Sequence, residues 1–308
     1  MKSFFIKLWI ICCVLKSNNA NTTITPLYRD ELPLINKTKS TADYMYYIAG
    51  GNRVPSTLKL INYMVSIRTR NPQRYFGDNH FCAGTIISKK AVLTSAHCVM
   101  DKRRVLTRAR RLLLVAGTPN RLVPVETTVQ FPAKSLTANT NFIRNNENDI
   151  AIIHLKHEIP EDNENIKIIK MPSGPPIYDT NCTIIGWGRM IRKGPLAAIP
   201  LHVNVRLYHP GECKHFLGEH YHEGILCAGD SLHYDEDPCR GDSGGPLICN
   251  DELTGVISWT TGCGSDRLPS LYTDVWYNRQ WIEKHLNAAL RGGIKTHLIL
   301  VVSLVLLM

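Results

Sequence analysis

The stretch Asp237-Pro238-Cys239-Arg240-Gly241-Asp242-Ser243-Gly244-Gly245-Pro246-Leu247 decides how this 308-residue chain is read. Ser243 stands among glycines, with an acid directly before it. A serine hydroxyl is a weak nucleophile at neutral pH; it needs a general base and donors for the oxyanion it creates. Glycines on either side let the backbone turn sharply and bring bare N–H groups close to a carbonyl. The N–H groups of Gly241 and Ser243 are therefore the candidate oxyanion donors. The run also fits G-x-S-x-G, the nucleophile elbow of esterases and lipases. That elbow opens a helix, whereas Gly244-Gly245-Pro246 starts none and Leu247-Ile248-Cys249 reads as a strand. The elbow fold also places its acid and histidine after the serine.

Here the better partners come before it. Leu93-Thr94-Ser95-Ala96-His97-Cys98 carries a histidine behind an apolar run. Asn148-Asp149-Ile150-Ala151-Ile152-Ile153-His154-Leu155 puts an aspartate at the mouth of a buried strand. Either alone reads as structural. In the order His97, Asp149, Ser243 they match the chymotrypsin arrangement rather than the subtilisin or esterase order.

With these motifs, and with Ile48-Ala49-Gly50-Gly51, Gly186-Trp187-Gly188 and Ser258-Trp259 in register, the chain resembles the trypsin/chymotrypsin family of secreted serine proteases from about residue 48 to about residue 290. The resemblance implies two six-stranded antiparallel β-barrels with a C-terminal α-helix, an all-β enzyme with its triad in the cleft between the barrels. It implies that Ser243 attacks the scissile carbonyl, that His97 is the general base and that Asp149 holds the His97 tautomer. It implies the disulfides Cys82–Cys98, Cys182–Cys249, Cys213–Cys227 and Cys239–Cys263. Spacing alone leaves the connectivity open, because eight cysteines remain of the ten once Cys12 and Cys13 go with the leader. An even count in an exported chain argues for an oxidising compartment. No Cys-x-x-Cys pair occurs after the leader and no calcium-type carboxylate cluster is evident, so no metal and no cofactor is expected.

The layout reads as a signal peptide (1–20), a propeptide (21–47), a protease domain (48–290) and a hydrophobic tail (291–308). Lys2 and Lys7 flank the apolar run Ile6 to Leu15, with cleavage expected after Ala20. Asn21 and Asn36 open glycosylation sequons. The family pattern implies a zymogen cut before Ile48, whose new amino group pairs with Asp242. The residue before the cut is Tyr47 rather than Arg or Lys, which points either to an activating protease of chymotrypsin-like preference or to no activation at all. Beyond Arg291–His297 the last eleven residues are almost wholly apolar, too few to span a bilayer. They resemble a lipid-anchor signal that would hold the protein at a membrane surface.

Short apolar runs such as Tyr63–Ile67, Gly84–Ile87, Leu112–Val115, Ile150–Leu155, Thr183–Ile185, Leu247–Ile248 and Gly255–Trp259 are separated by Pro, Gly, Asn and charges, the punctuation of closed β-barrels or a sandwich. One helix is readable, from about Asp274 to Leu290, with Val275, Trp276, Ile282, Leu286 and Leu290 as its apolar stripe.

At the pocket base the resemblance places Asp237, which would select Arg or Lys in a protein or peptide substrate. Thr260 and Ser270 stand where trypsins have glycine, and Pro238 replaces a small residue, so the pocket is expected to be narrowed. Ser258-Trp259-Thr260 should offer an extended edge to the substrate strand. The formal net charge of +10 has a concentrated source in Lys102, Arg103, Arg104, Arg108, Arg110 and Arg111. The bland reading is a solvated loop; the sharper one is an exosite for acidic partners. No aromatic interleaving points to nucleic acid. Macromolecular protease inhibitors are the other partners the resemblance implies. The competing reading is a non-proteolytic homologue acting as a binding or regulatory protein, which the intact His97, Asp149 and Ser243 disfavour.

Overall fold

A strand forms wherever alternate residues can be buried, and two strands make the principle visible. In Leu201–Leu207 the residues Leu201, Val203, Val205 and Leu207 are buried while those between are more open. In Ala151–Leu155 every residue is buried. There Ala151, Ile153 and Leu155 enter one core cluster, and Ile152, with Ile150 just before the strand, enters a second. A continuous apolar run thus serves two cores, one on each face of the strand.

The computed structural model describes residues 52–53, 59–143, 147–160, 162–190, 193–229, 238–260 and 268–287. A short strand β1 (Asn52–Arg53) comes first. Then β2 (Met64–Thr69), β3 (His80–Ser88), β4 (Ala91–Thr94), β5 (Leu112–Ala116), β6 (Val129–Ala138) and β7 (Ala151–Leu155) close into an antiparallel barrel in the order β2-β3-β4-β7-β6-β5. The remaining strands are β8 (Asn181–Gly186), β9 (Leu201–Leu207), β10 (Ile225–Gly229), β11 (Pro246–Cys249), β12 (Glu252–Trp259) and β13 (Ser270–Asp274). They run β9-β10-β13-β12-β11-β8, and the β8–β9 pairing closes a second antiparallel barrel to which β1 adds beside β9. The expected all-β architecture of two six-stranded barrels is what the chain forms.

Each barrel has its own interior. The first holds Val65, Ile67, Leu114, Phe131 and Ile153; the second holds Ile184, Val203, Leu226, Ile257 and Tyr272. A third cluster joins them, with Leu93 and Ile152 of the first barrel against Ile248, Val256 and Ile282.

Two expectations about helices are corrected. A four-residue helix α1 (Ala96–Val99) follows β4, and α2 (Pro210–Leu217) is a helix the sequence reading did not find. Helix α2 fully buries only Cys213, with Phe216 and Leu217 half-buried against the same cluster, so over eight residues it shows no extended apolar stripe like that of the last helix. Its start is held instead by the Glu212 carboxylate, which accepts the His209 N–H at 3.1 Å. The last helix, α3 (279–287), begins later than Asp274. Asp274 ends β13 and its carboxylate accepts the N–H of Tyr277 at 3.0 Å, so a turn intervenes. Among the described residues no helix is long and apolar enough to cross a membrane. The signal segment, Asn21, Asn36, the propeptide, Ile48, Asp237, Cys263 and the hydrophobic tail lie outside the described residues.

Disulfides tie Cys82 to Cys98, Cys182 to Cys249 and Cys213 to Cys227, the pairings the resemblance implied. Cys239 is disulfide-bonded as well.

Candidate active site

Three turns at barrel ends carry the candidate residues. His97 sits on α1, directly after β4. Asp149 sits immediately before β7, and Asn148 ahead of it takes a left-handed φ of 55°. Ser243 lies in the turn that feeds β11. The first two belong to one barrel and the third to the other.

The His97–Asp149 pair is tightly made. His97 Nδ1 lies 2.7 Å from Asp149 Oδ2, and the His97 backbone N–H donates to Asp149 Oδ1 at 2.9 Å. The second barrel grips the same aspartate. Ser258 Oγ on β12 donates to Asp149 Oδ2 at 2.6 Å, and Thr273 Oγ1 on β13 donates to the Asp149 carbonyl at 2.9 Å. Burial would raise the Asp149 carboxyl, but the His97 imidazole and the bonds from His97 and Ser258 outweigh it and hold the group below the ordinary carboxylate range. An ionised acceptor at Nδ1 makes that nitrogen the proton carrier and leaves Nε2 as the basic one. Thr273 carried no signal in the sequence; it is a strand residue like any other until β13 is laid beside Asp149.

Ser243 is held close by through its backbone. Its carbonyl accepts the Ala83 N–H at 2.8 Å, next to Cys82 in the disulfide to Cys98, the residue after His97. Ile257 O accepts both the Gly244 N–H and the Ser95 hydroxyl, each at 2.8 Å. One carbonyl of the second barrel therefore ties together the residue after Ser243 and the residue two before His97. The Cys98 sulfur lies 3.8 Å from His97 Nε2 and 3.6 Å from the Ser243 carbonyl oxygen. Cys82, Cys98 and His97 could by position be taken for metal ligands. Their sulfurs are joined in a disulfide, so neither is a thiolate.

The turn that carries Ser243 is shaped by glycines. Gly241 takes φ 111° and Gly244 φ 82°. A Cβ on Gly244 would lie 2.1 Å from Thr94 Oγ1 and 2.4 Å from the Ala83 carbonyl oxygen. The N–H groups of Asp242, Gly244 and Gly245 all have backbone acceptors. Among the described residues, no acceptor takes the N–H of Gly241 or of Ser243, leaving two unspent donors beside the Ser243 hydroxyl.

Asp242 points the other way, into the second barrel's wall. Its carboxylate accepts the Gly188 N–H at 2.7 Å and the Cys239 N–H at 2.9 Å. Gly186 and Gly188 make room for it; a Cβ on either would fall about 2 Å from the carboxylate. Burial pushes its pKa up to about 6 despite those two bonds.

A buried polar chain behind the nucleophile turn went unnoticed in the sequence. Arg68 Nε donates to Ser66 Oγ at 2.9 Å, Ser66 Oγ lies 2.8 Å from His80 Nδ1, and His80 Nε2 lies 3.1 Å from the Gly241 carbonyl. The Gly241 carbonyl only accepts, so a neutral His80 presents Nε2–H to it and takes the Ser66 hydroxyl proton at Nδ1, while Ser66 Oγ accepts from Arg68. Burial, with Arg121 adding to it, pushes His80 down to about 3, so the ring is neutral and the Gly241 carbonyl at Nε2 sets its tautomer. Arg121 is itself buried, its guanidinium bonded to the carbonyls of Gly77, Ala197 and Leu196. Burial and the nearby Arg121 push Arg68 down to about 10. A sequence reading takes arginines as surface residues, and the strand alternation of β2 gave no warning that Arg68 is enclosed.

β11 begins at Pro246 opposite Val256, and the backbone of Gly244 and Gly245 ahead of it carries the pairing on to Ile257. Ser258, Trp259 and Thr260 run on past it, half-buried, as an extended edge. Ser270 is fully buried at the start of β13, opposite Ala228 on β10. Pro238 is buried.

A model of the family described as Trypsin matches residues 48–282. The chain is 33% identical over 245 residues to trypsin zeta of Drosophila erecta, covering 76% of this chain and 82% of that one. It is 31% identical over 210 residues to a trypsin of Xenopus laevis, covering 68% and 82%. Over 214 residues it is 33% identical to the snake venom serine protease KN1 of Trimeresurus stejnegeri, covering 68% and 79%.

Proposed function

The chain belongs to the trypsin family and is a serine endopeptidase, and from that premise we propose that His97, Asp149 and Ser243 carry its peptide-bond hydrolysis. The observation behind this reading is the 2.7 Å His97–Asp149 bond, braced by Ser258, beside a serine flanked by two unspent N–H groups. Asp149 keeps the proton on Nδ1, so Nε2 takes the Ser243 hydroxyl proton as Oγ attacks the scissile carbonyl. The Gly241 and Ser243 N–H groups receive the oxyanion. His97 then returns its proton to the leaving amine, and a water repeats the sequence on the acyl-enzyme.

The substrate is a protein or peptide laid along the Ser258-Trp259-Thr260 edge, with Asp237 drawing an Arg or Lys into the pocket. Residues 1–20 direct secretion, residues 21–47 keep the enzyme a zymogen, and a second protease releases Ile48. The new amine then supplies the cation that the buried Asp242 carboxylate favours. The domain runs from 48 to 290, and 291–308 is a signal exchanged for a lipid that holds the domain at a cell surface. Asn21 and Asn36 carry glycans, and protein inhibitors compete for the cleft.

The test is labelling with a fluorophosphonate, which reports an activated serine whatever the pocket prefers. Material cut to begin at Ile48 is expected to label, the uncut chain to label poorly, and Ser243→Ala not at all. Absence of labelling in folded, correctly cut protein would overturn the reading in favour of a binding homologue.

A further inference from the structure

The charge concentrated after His97 forms an ordered surface. Residues 100–106 make a small hairpin: Met100 bridges Leu106, and Asp101 and Val105 pair through Asp101 N–H and Val105 O at 3.0 Å. The Asp101 carboxylate turns onto the hairpin's own backbone, accepting the N–H of Arg103 at 2.8 Å and of Val105 at 2.9 Å. Arg104 takes a left-handed φ of 62° at the turn, and its guanidinium donates to the Thr140 carbonyl at 2.7 Å. A 3-10 turn, Ala109–Arg111, then leads into β5, and Arg70 N–H donates to Arg111 O at 2.6 Å, which brings a further cation to the same rim.

Lys102, Arg103, Arg104, Arg108, Arg110, Arg111 and Arg70 are all exposed. Among the described residues none of them is in an ion pair. Asp101, the one carboxylate in the segment, is occupied by backbone donors. Holding so many like charges together costs free energy that a rigid hairpin does not recover from its own contacts. The same tip carries two large apolar side chains in the open, Val105 at 59% and Leu106 at 41% exposure. Cations interleaved with exposed aliphatic groups suit a peptide that alternates acidic and apolar residues better than a sulfated sugar, which offers no aliphatic partner.

The place of the hairpin says which part of a substrate would meet it. Met100 N–H donates to Ala96 O, so the hairpin is rooted within one turn of His97. The acyl half of a substrate follows the β12 edge of the second barrel. His97 protonates the leaving half, and the hairpin stands on the first-barrel wall next to it. Resting on the endopeptidase reading above, we infer that the 100–111 segment is an exosite for an acidic, partly apolar peptide segment on the leaving-group side of the cleaved bond.

The test uses two quenched fluorescent peptides with identical residues before the scissile bond. The leaving half of one carries three Asp or Glu among apolar residues, and that of the other carries Asn or Gln at those positions. With cut wild-type enzyme at low salt the acidic peptide is expected to show about tenfold higher kcat/KM, mainly through KM, the product of a few exposed charge contacts. High salt should erase the advantage. Lys102→Gln/Arg103→Gln/Arg108→Gln, which keeps the Arg104–Thr140 bond, should bring the two peptides within about twofold while cleaving the neutral one as wild type does. Lys102→Glu/Arg103→Glu should invert the preference, which a loss of folding would not do. Equal cleavage of both peptides by wild type, with normal fluorophosphonate labelling, overturns the exosite alone. Loss of labelling together with loss of cleavage overturns both readings. Hairpin-dependent retention on a sulfated polysaccharide without any peptide preference replaces the peptide with a glycan.

Discussion

Asp149 lies where burial and hydrogen bonding pull its carboxyl in opposite directions, and the partners decide the outcome. Removing the Ser258 hydroxyl leaves a buried carboxylate short of one donor, a loss of about 1.5–3 kcal/mol for a bond to a charged group. Ser258→Ala is therefore expected to lower kcat by roughly tenfold or more, with KM little changed. An unchanged kcat would mean that His97 and Thr273 hold Asp149 without help. Asp242 is the converse case. Its pKa of about 6 lies above that of an unfolded aspartate, near 4, so folding favours the protonated form. The uncut chain then loses stability as pH rises from about 4 to about 6, by up to ~3 kcal/mol, and the loss persists above that window. A freed Ile48 amine would lower the pKa and remove the penalty. In a Ser243→Ala background the cut form should gain more over the uncut form in urea midpoint at pH 7.5 than at pH 4.5. Equal gains at both would sink the pairing. Ser66→Ala leaves buried His80 Nδ1 without its donor and Arg68 Nε without its acceptor; urea unfolding should show a loss of about 1–3 kcal/mol, while the nitrogen NMR signals of His80 should still report the Nε2–H tautomer that the Gly241 carbonyl selects.

At the scale of elements, the turn before β11 depends on what packs against it. Gly244 is enclosed by Thr94 of β4 and Ala83 of β3, so Gly244→Ala meets both a left-handed φ and a steric block from the first barrel. The nucleophile turn is expected to lose fluorophosphonate labelling while far-UV circular dichroism keeps the barrel signature. The motif glycines were legible in the sequence, but the partner they approach was not, because Thr94 and Gly244 are 150 positions apart along the chain. The strands read from apolar runs fell inside β2, β3, β5, β7, β8, β11 and β12, with boundaries off by a few residues. Strands β6 and β9, which mix polar and apolar residues, and the short helix α2 did not stand out. Their hydrophobic signal is diluted, and only pairing with β7, β8 and β10 makes them regular.

Across the whole molecule, the cluster shared by the barrels makes them one folding unit. Ile282 on α3 is 1% exposed among residues of both barrels. Ile282→Ala should cost about 2–5 kcal/mol and shift a single urea transition of the mature chain. Two resolved transitions would show that the barrels unfold separately. The sequence by itself determined the order of the chemical groups, an all-β chain and the family resemblance, and only through that resemblance the two-barrel class. Short motifs dictate local turn geometry, and alternating apolar residues dictate strands, without reference to distant residues. Only the tertiary structure decided what surrounds each group. It brought Thr273 and Ser258 to Asp149, buried Arg68 and Arg121 behind the Ser243 turn, and left the cations of the 100–111 segment without an ion-pair partner among the described residues. Burial and hydrogen bonding arise from contacts between residues far apart in the chain, and those contacts exist only once both barrels have closed and packed together.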